Sequence, residues 1–220
     1  MLLPDALQTA IDLDTNIFLF FNGMHNTFFD CFMSTYSGKL VWVPMYAAIF
    51  YAMLRSFPRK ATLLFAVVAV ALTITFADQV CATLIRPYVE RMRPSNLNNP
   101  LSEFVHIVNR RGGSYGFPSC HAANTFGLAF FLHFLFRNRR LTFFMMGWAL
   151  LTCYSRVYLG VHYPGDLLVG GIIGATGAFM MHRLFLLVSG HEQTEPARCL
   201  QVPIWVGGLT VAGILVYSAF

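Results

Sequence analysis

Residues 61–85, ATLLFAVVAVALTITFADQVCATLI, decide the fold, because Asp78 is the one charged residue among 25. A helix that crosses the hydrocarbon core of a bilayer needs about 20 mainly apolar residues. The stretch meets that requirement and has no Pro or Gly to interrupt a helix. It predicts a membrane-spanning helix, and the rest of the chain must then be interpreted as part of a membrane protein.

The composition supports this interpretation. The 220 residues are 56% hydrophobic and only 11% charged, whereas soluble domains have about 25% charged residues. The length predicts a single domain over residues 1–220. The net charge of +5 comes mostly from short loops, so membrane topology and anionic substrates explain it better than nucleic acid. Five cysteines without a CxxC spacing predict neither a disulfide framework nor a zinc site.

Six apolar segments predict an all-α bundle of six transmembrane helices over residues 40–220. They are 40–57, 61–85, 120–136, 141–159, 163–188 and 201–220. Residues 1–38 precede the bundle, and in 14–36 polar residues interrupt a run of aromatic ones. One or two amphipathic helices lying in the membrane interface are the preferred prediction for this part. A seventh, poorly hydrophobic span is the alternative.

Loop charges predict the orientation of this bundle. The basic stretches 55–60, 137–140 and 182–198 fall on one face, which the positive-inside rule makes cytoplasmic. The long loop 86–119 then lies on the outer face with five arginines, which need a role other than topology. The sequence thus predicts that the loop 86–119 is functional and lies on the outer face of the membrane.

Three polar motifs fall at the same end of the predicted bundle. RPYVERMRP (86–94) follows the second span, PSCH (118–121) opens the third, and SRVYLGVHYPGD (155–166) joins the fourth to the fifth. Charged groups near a bilayer are costly and usually functional. We therefore expect the three motifs to form one site.

The cations of this site suit a phosphate. Arg86, Arg93 and Arg156 are permanently charged, and guanidinium groups bind phosphate oxygens through paired hydrogen bonds. Ser119 adds a hydroxyl, and the helix that starts at Cys120 adds free backbone N–H groups. The arginines supply positive charge, so we expect no metal and no cofactor.

Two histidines complete the predicted chemistry. Asp166 follows His162 by four residues, so on a helix it can orient one ring nitrogen and leave the other free to attack phosphorus. His121 can protonate the leaving oxygen and then activate water. We predict a phosphohistidine intermediate on His162.

These residues resemble the signature of the PAP2 phosphatase superfamily, K-x6-R-P, P-S-G-H and S-R-x5-H-x3-D. The chain has R-x6-R-P, P-S-C-H and S-R-x5-H-x3-D, in that order. Arg86 stands in place of Lys and keeps the charge, while Cys120 stands in place of Gly and keeps the backbone N–H. The resemblance implies an integral-membrane lipid phosphatase with a helical fold and the roles given above. The short N-terminal helices and compact loop resemble small bacterial members of the family, which implies a bacterial inner membrane with the site facing the periplasm or exterior.

Further charged residues have open roles. Arg91, Arg110 and Arg111 are candidate headgroup contacts, with a solvated loop as the alternative for Arg110 and Arg111. Asp78 lies inside the second span, where it either orients a site arginine or hydrogen-bonds to a neighbouring helix.

The resemblance implies a membrane lipid with a phosphate headgroup as substrate. The surplus arginines favour a large, multiply anionic headgroup, with lipid A phosphate first and undecaprenyl pyrophosphate, phosphatidylglycerol phosphate and phosphatidic acid as alternatives. Lipid phosphotransfer and lipid binding without catalysis are the other classes. The sequence indicates no nucleic-acid partner and leaves the oligomeric state open.

Overall fold

A computed structural model describes residues 5–190 and 199–220, and within those ranges the chain is helical without a β-strand. The α-helices there are α1 (Asp5–Asn22), α2 (Thr27–Tyr36), α3 (Val43–Ser56), α4 (Lys60–Gln79), α5 (Arg86–Val89), α6 (Cys120–Phe136), α7 (Arg139–Tyr158), α8 (Pro164–Ser189) and α9 (Gln201–Ser218). The prediction of an all-α membrane protein is confirmed. Part of the basic stretch 182–198, including Arg198, lies outside the described residues.

Each of the six predicted spans coincides with helical structure, whereas their number as membrane crossings stays a prediction. By length and hydropathy, three helical segments of the described chain suffice to cross a membrane: Lys60–Val89, α8 and α9. The pair α2 and Leu40–Ser56 adds a fourth if it counts as one span, although the two parts meet at 67°. Helix α6 is apolar but only 17 residues long. The chain is thus an integral membrane protein.

Helices α6 and α8 pack closely at the centre, because two glycines remove the side chains between them. A Cβ atom on Gly174 would meet the carbonyl oxygen of Ala123 and lie 2.8 Å from the backbone nitrogen of Gly127. A Cβ atom on Gly170 would collide with the carbonyl oxygen of Ser119. Backbone atoms cannot move away cheaply, so small residues set this close approach. The approach brings the start of α8 next to the start of α6.

The N-terminal segment 14–36 does not form one continuous helix. It divides between α1 and α2 at the turn 23–26, where the side chain of Asn26 accepts a hydrogen bond from the backbone N–H of Phe29 at 2.9 Å and caps α2. The preferred prediction of one or two helices therefore matches the helices observed. Their position in the membrane interface stays a prediction.

Candidate active site

The loop 86–119 folds back over the start of α6. A π-helical turn, Val80–Ile85, widens the end of α4 just before Arg86, as π-turns often do at functional sites. Farther along, Arg93 donates its backbone N–H to the carbonyl of Ser114 at 3.1 Å, and Gly116 donates to the carbonyl of Arg91 at 2.9 Å. These bonds hold the first motif beside the second.

The third motif places a histidine between an arginine and a carboxylate. Arg93 donates from Nη1 to Nε2 of His162 at 2.9 Å, and Nδ1 of His162 lies 3.4 Å from Oδ2 of Asp166. Arginine has no acceptor, so Nε2 accepts and Nδ1 of the neutral ring carries the proton that faces Asp166. The imidazole is therefore set in one tautomer, with the lone pair of Nε2 directed toward the arginine side.

The surroundings of His162 keep its ring neutral. The side chain is only 1% exposed. Burial, followed by the positive charges of Arg93, Arg156 and Arg86, lowers the pKa of His162 well below its ordinary value. The free base, which is the nucleophilic form, is then present at neutral pH.

Asp166 serves two neighbours with one oxygen. Its Oδ2 accepts the backbone N–H of Tyr163 at 3.1 Å, three residues before it, and also faces His162. The carboxylate thus caps the start of α8, as an acidic residue in the first helical turn commonly does. Helix formation and orientation of the imidazole depend on the same side chain.

Three guanidinium groups surround the site and keep donors free. Within the described residues, the buried Nε–H groups of Arg86, Arg93 and Arg156 have no hydrogen-bond partner. Arg86 donates from Nη2 to the carbonyl of Pro118 at 2.8 Å and lies 3.0 Å from the sulfur of Cys120. Buried donors are normally satisfied, so three unsatisfied ones in one site indicate an anionic ligand with several acceptor oxygens.

The same burial acts on the charge of Arg93. Removal from water and the nearby charge of Arg86 lower the pKa of Arg93, while Asp166 raises it. An anion bound at the site would offset this repulsion between cations.

The start of α6 supplies the remaining polar groups. The buried side chain of Ser119 accepts from the backbone N–H of Ala122 at 3.5 Å and caps the helix. The first-turn N–H groups of Cys120 and His121 have no acceptor within the helix. His121 interacts electrostatically with Arg156 and His162. The structure thus brings together the predicted residues 86, 93, 119, 120, 121, 156, 162 and 166.

His121 and Cys120 line a cavity of about 500 Å³. Lys39 also lines this cavity, and most of its wall is apolar, formed by residues that include Trp42, Ile49, Met53, Val67 and Val70. Lys39 and Ser37 were not predicted as site residues. They lie in the loop between α2 and α3, which carries no recognisable motif, and Ser37 accepts a hydrogen bond from Nη1 of Arg156.

Asp78 also lines this cavity. It accepts a hydrogen bond from the side chain of Asn124 at 3.4 Å, so the open question is answered in favour of a contact with the neighbouring helix α6. Asn124 follows Cys120 by one helical turn, which places the polar pair just below the predicted phosphate site.

The three outer arginines differ in their contacts. Arg91 pairs with Asp14 and Asp166. Arg111 donates from Nη1 to the carbonyl of Ser95 at 2.9 Å, and Arg110 is exposed. None of the three lines the cavity. Asp14 is a further residue that sequence reasoning missed, because it lies far from every motif.

Comparison with known proteins gives consistent results. The chain is 52% identical over 96% of its length, and 98% of the relative's, to a lipid A 4'-phosphatase of Bacteroides thetaiotaomicron. It is 31% identical over 82% of its length to a lipid A 4'-phosphatase of Porphyromonas gingivalis, 76% of which is covered. The crystal structure of Aquifex aeolicus LpxE shares the fold, with a TM-score of 0.59 over 78% of this chain and 95% of that one at 21% identity. Residues 59–188 match the PAP2 superfamily, and the chain belongs to that family.

Proposed function

We propose that this protein is a lipid A 4'-phosphatase that uses His162 as a nucleophile and needs no metal. The observation that carries the proposal is the set of three unsatisfied Nε–H groups, on Arg86, Arg93 and Arg156, around a buried neutral histidine. Guanidinium groups bind the equatorial oxygens of a phosphoryl group in the same way as they bind carboxylates. In such transfers, neutralising these oxygens supplies most of the catalytic effect.

The first step transfers the phosphoryl group to the protein. Nε2 of His162 attacks phosphorus, a P–N bond forms, and the bond between phosphorus and the lipid oxygen breaks. The negative charge of the bound phosphate group favours the protonated form of His121, which donates that proton to the leaving oxygen, so the lipid leaves as an alcohol. Arg93 donates to Nε2 before the substrate binds, so this hydrogen bond breaks during the attack, and the guanidinium group of Arg93 then donates to the phosphoryl oxygens. Asp166 stabilises the positive ring through Nδ1.

The second step releases phosphate. His121, now neutral, removes a proton from water, and the water oxygen attacks phosphorus. The P–N bond breaks, inorganic phosphate leaves, and His162 returns to the neutral ring. Its burial among the arginines lowers the pKa of His162 and favours that return.

Two observations support lipid A as the substrate. The two relatives named above are lipid A 4'-phosphatases, and one of them aligns over nearly the whole of both chains. The cavity that His121 lines has mostly apolar walls and includes one lysine, Lys39. The apolar cavity can hold an acyl chain, while Arg86, Arg93 and Arg156 can bind the phosphorylated headgroup.

The arrangement in the membrane is part of the proposal. Helices α1 and α2 lie at the interface, helices α3 to α9 belong to the bundle, and the loop 86–119 covers the site on the outer face. Basic loops on the opposite face support an inner membrane location with the site toward the periplasm.

Phosphate release by purified protein in detergent with EDTA tests this function. Lipid A, undecaprenyl pyrophosphate and phosphatidylglycerol phosphate are offered side by side, and we expect release from lipid A to be fastest and to disappear in His162→Ala. Faster release from either other lipid would replace the substrate. Release that EDTA abolishes, or no release from any lipid, would contradict the proposal and leave phosphotransfer or lipid binding as the function.

A further inference from the structure

Helix α1 presents one face to the outer loops of the bundle. Asp14, Phe18 and Asn22 follow one another at intervals of four residues, so they lie on the same side of the helix. Phe18 is 0% exposed and its ring centroid lies 5.3 Å from that of Tyr163. Asn22 donates to the backbone carbonyl of Tyr158 at 2.8 Å. The helix is thus attached to the segment that carries the nucleophile.

The carboxylate of Asp14 makes two contacts at the start of α8. Oδ1 accepts the backbone N–H of Gly165 at 2.7 Å, and Oδ2 accepts from Nη2 of Arg91 at 2.7 Å. Only 15% of the Asp14 side chain is exposed. Ion pairs shielded from solvent in this way lose less of their strength to screening than surface pairs do.

Arg91 continues the chain of contacts to Asp166. Its Nη1 donates to Oδ1 of Asp166 at 3.0 Å, and its guanidinium carbon lies 4.0 Å above the ring of Tyr163. Both terminal nitrogens of Arg91 are thus bonded to carboxylates, and an aromatic ring covers one face of the group. A headgroup contact by Arg91 would require breaking these bonds.

Asp166 depends on this support because it is 0% exposed. Oδ2 serves Tyr163 and His162, while Oδ1 contacts Arg91. A buried carboxylate that loses its charged partner is strongly destabilised or turns toward another donor. Arg91 therefore fixes the rotation of the carboxylate that orients His162, and Asp14 fixes Arg91.

We propose that Asp14 and Arg91 are positioning residues for the nucleophile, acting through Asp166. This inference rests on the proposed function of His162. Asp14 lies outside residues 59–188, which match the family. Helix α1 would then be a working part of the active site in addition to being a membrane-surface helix.

The first test compares two substitutions on α1. Asp14→Asn keeps the shape and an acceptor for Gly165 but removes the charge that holds Arg91. We expect kcat to fall roughly 10- to 100-fold with KM changed less than about threefold, because misplacement of a reacting group by about 1 Å costs rate on that order. Asp12→Asn is the matched control, since Asp12 is exposed and accepts a hydrogen bond from Gln8, which lies on the same helix. It should leave both constants unchanged.

A double variant shows whether Asp14 and Arg91 act through one chain of contacts or independently of each other. Arg91→Met leaves two carboxylates without their common cation, so it should cost at least as much kcat as Asp14→Asn. The double variant Asp14→Asn/Arg91→Met should lose no more kcat than Arg91→Met alone, because Asp14 acts on Asp166 only through Arg91 and has no further effect once Arg91 is removed. If the losses of kcat in the two single variants multiply in the double variant, the residues act independently and the proposal is overturned. A several-fold rise in KM with kcat intact for Arg91→Met would also overturn it and would support a headgroup role for Arg91. If Asp14→Asn does not fold, Arg91→Lys replaces it in the test. Lysine keeps the charge but cannot bridge both carboxylates, so the same fall in kcat with little change in KM is expected.

A measurement without substrate distinguishes failure of this inference from failure of the proposed function. In protein labelled with ¹⁵N-histidine, the signal missing from His162→Ala identifies His162. We expect Asp14→Asn and Arg91→Lys to shift that signal, while Asp12→Asn leaves it in place. An unshifted signal would refute the positioning role, whether or not the wild-type protein releases phosphate. A shifted signal together with no phosphate release from any lipid would support the positioning role and contradict the phosphatase function.

Discussion

At the scale of single residues, the proposed chemistry depends on a histidine whose neighbours favour its neutral form. His162 is buried, Arg93 donates to its Nε2, and Asp166 faces its Nδ1. Each neighbour has a distinct effect: burial and the arginines disfavour the protonated ring, while the carboxylate fixes which nitrogen bears the proton. A nucleophile and a set of phosphate-binding cations can share a small space under these conditions.

The pH dependence of kcat/KM follows from the pKa of His162. A protonated ring cannot attack, and since the pKa is lowered in the folded protein, the free base persists as the pH falls. The acid limb of kcat/KM should therefore lie below about pH 6.5, the ordinary histidine value. Arg93→Gln removes one positive charge, so the pKa of His162 rises and the acid limb moves to higher pH.

A matched control uses a distant arginine. Arg140→Gln removes a charge from the exposed start of α7 and should leave the limb where it is. An acid limb at or above pH 6.5 in the wild-type protein, or a limb that Arg93→Gln does not move, would contradict this account of His162.

At the scale of helices, α4 has two chemically similar but structurally different faces. Val67, Val70, Ile74 and Asp78 line the cavity, whereas Val68 on another face is 45% exposed. The whole helix is apolar, so its sequence does not separate a cavity wall from a lipid-facing surface. The structure shows which residues of α4 line the cavity and which are exposed, and substitutions on the two faces can test this difference.

Filling the cavity should affect long lipids alone. In Val70→Phe the added ring occupies space for about two methylene groups of an acyl chain, and at about 0.8 kcal/mol each their loss raises KM for a long-chain lipid phosphate roughly tenfold. A short-chain, water-soluble phosphate ester should be hydrolysed with kcat/KM changed less than about twofold. Val68→Phe adds the same ring on the exposed face and should change neither. Equal effects of Val70→Phe on both substrates would show that the cavity does not hold the acyl chain.

Several elements could not have been predicted from the sequence. The π-helical turn Val80–Ile85 shifts Arg86 around the helix axis, but its residues are ordinary apolar ones without a composition signal. The bend of 67° between α2 and Leu40–Ser56 is spanned by a hydrogen bond from Nε1 of Trp42 to the carbonyl of Tyr36 at 2.8 Å. Helix existence follows from local hydrophobicity, whereas such distortions depend on tertiary contacts.

At the scale of the whole molecule, three motifs distant in sequence meet at one end of the bundle. This convergence could be predicted, because each motif adjoins a predicted span and the number of crossings puts all three at the same end. Contacts such as that of Asp14 with Gly165 and Arg91 could not, since they join parts of the chain through single side chains without a repeating pattern. The site's core was thus predictable and its support was not.

The role proposed for His162 is to carry the phosphoryl group between the two steps. It is tested most directly by mixing enzyme with ³²P-labelled lipid A, stopping the reaction within one turnover and mapping the labelled residue. We predict ³²P label on His162 that is stable in alkali and lost in acid. In His121→Ala, transfer of the phosphoryl group to His162 should be slow, but the labelled protein should accumulate because the water that hydrolyses it is no longer activated. Absence of label from every time point while phosphate is released, or label on another residue, would contradict the account.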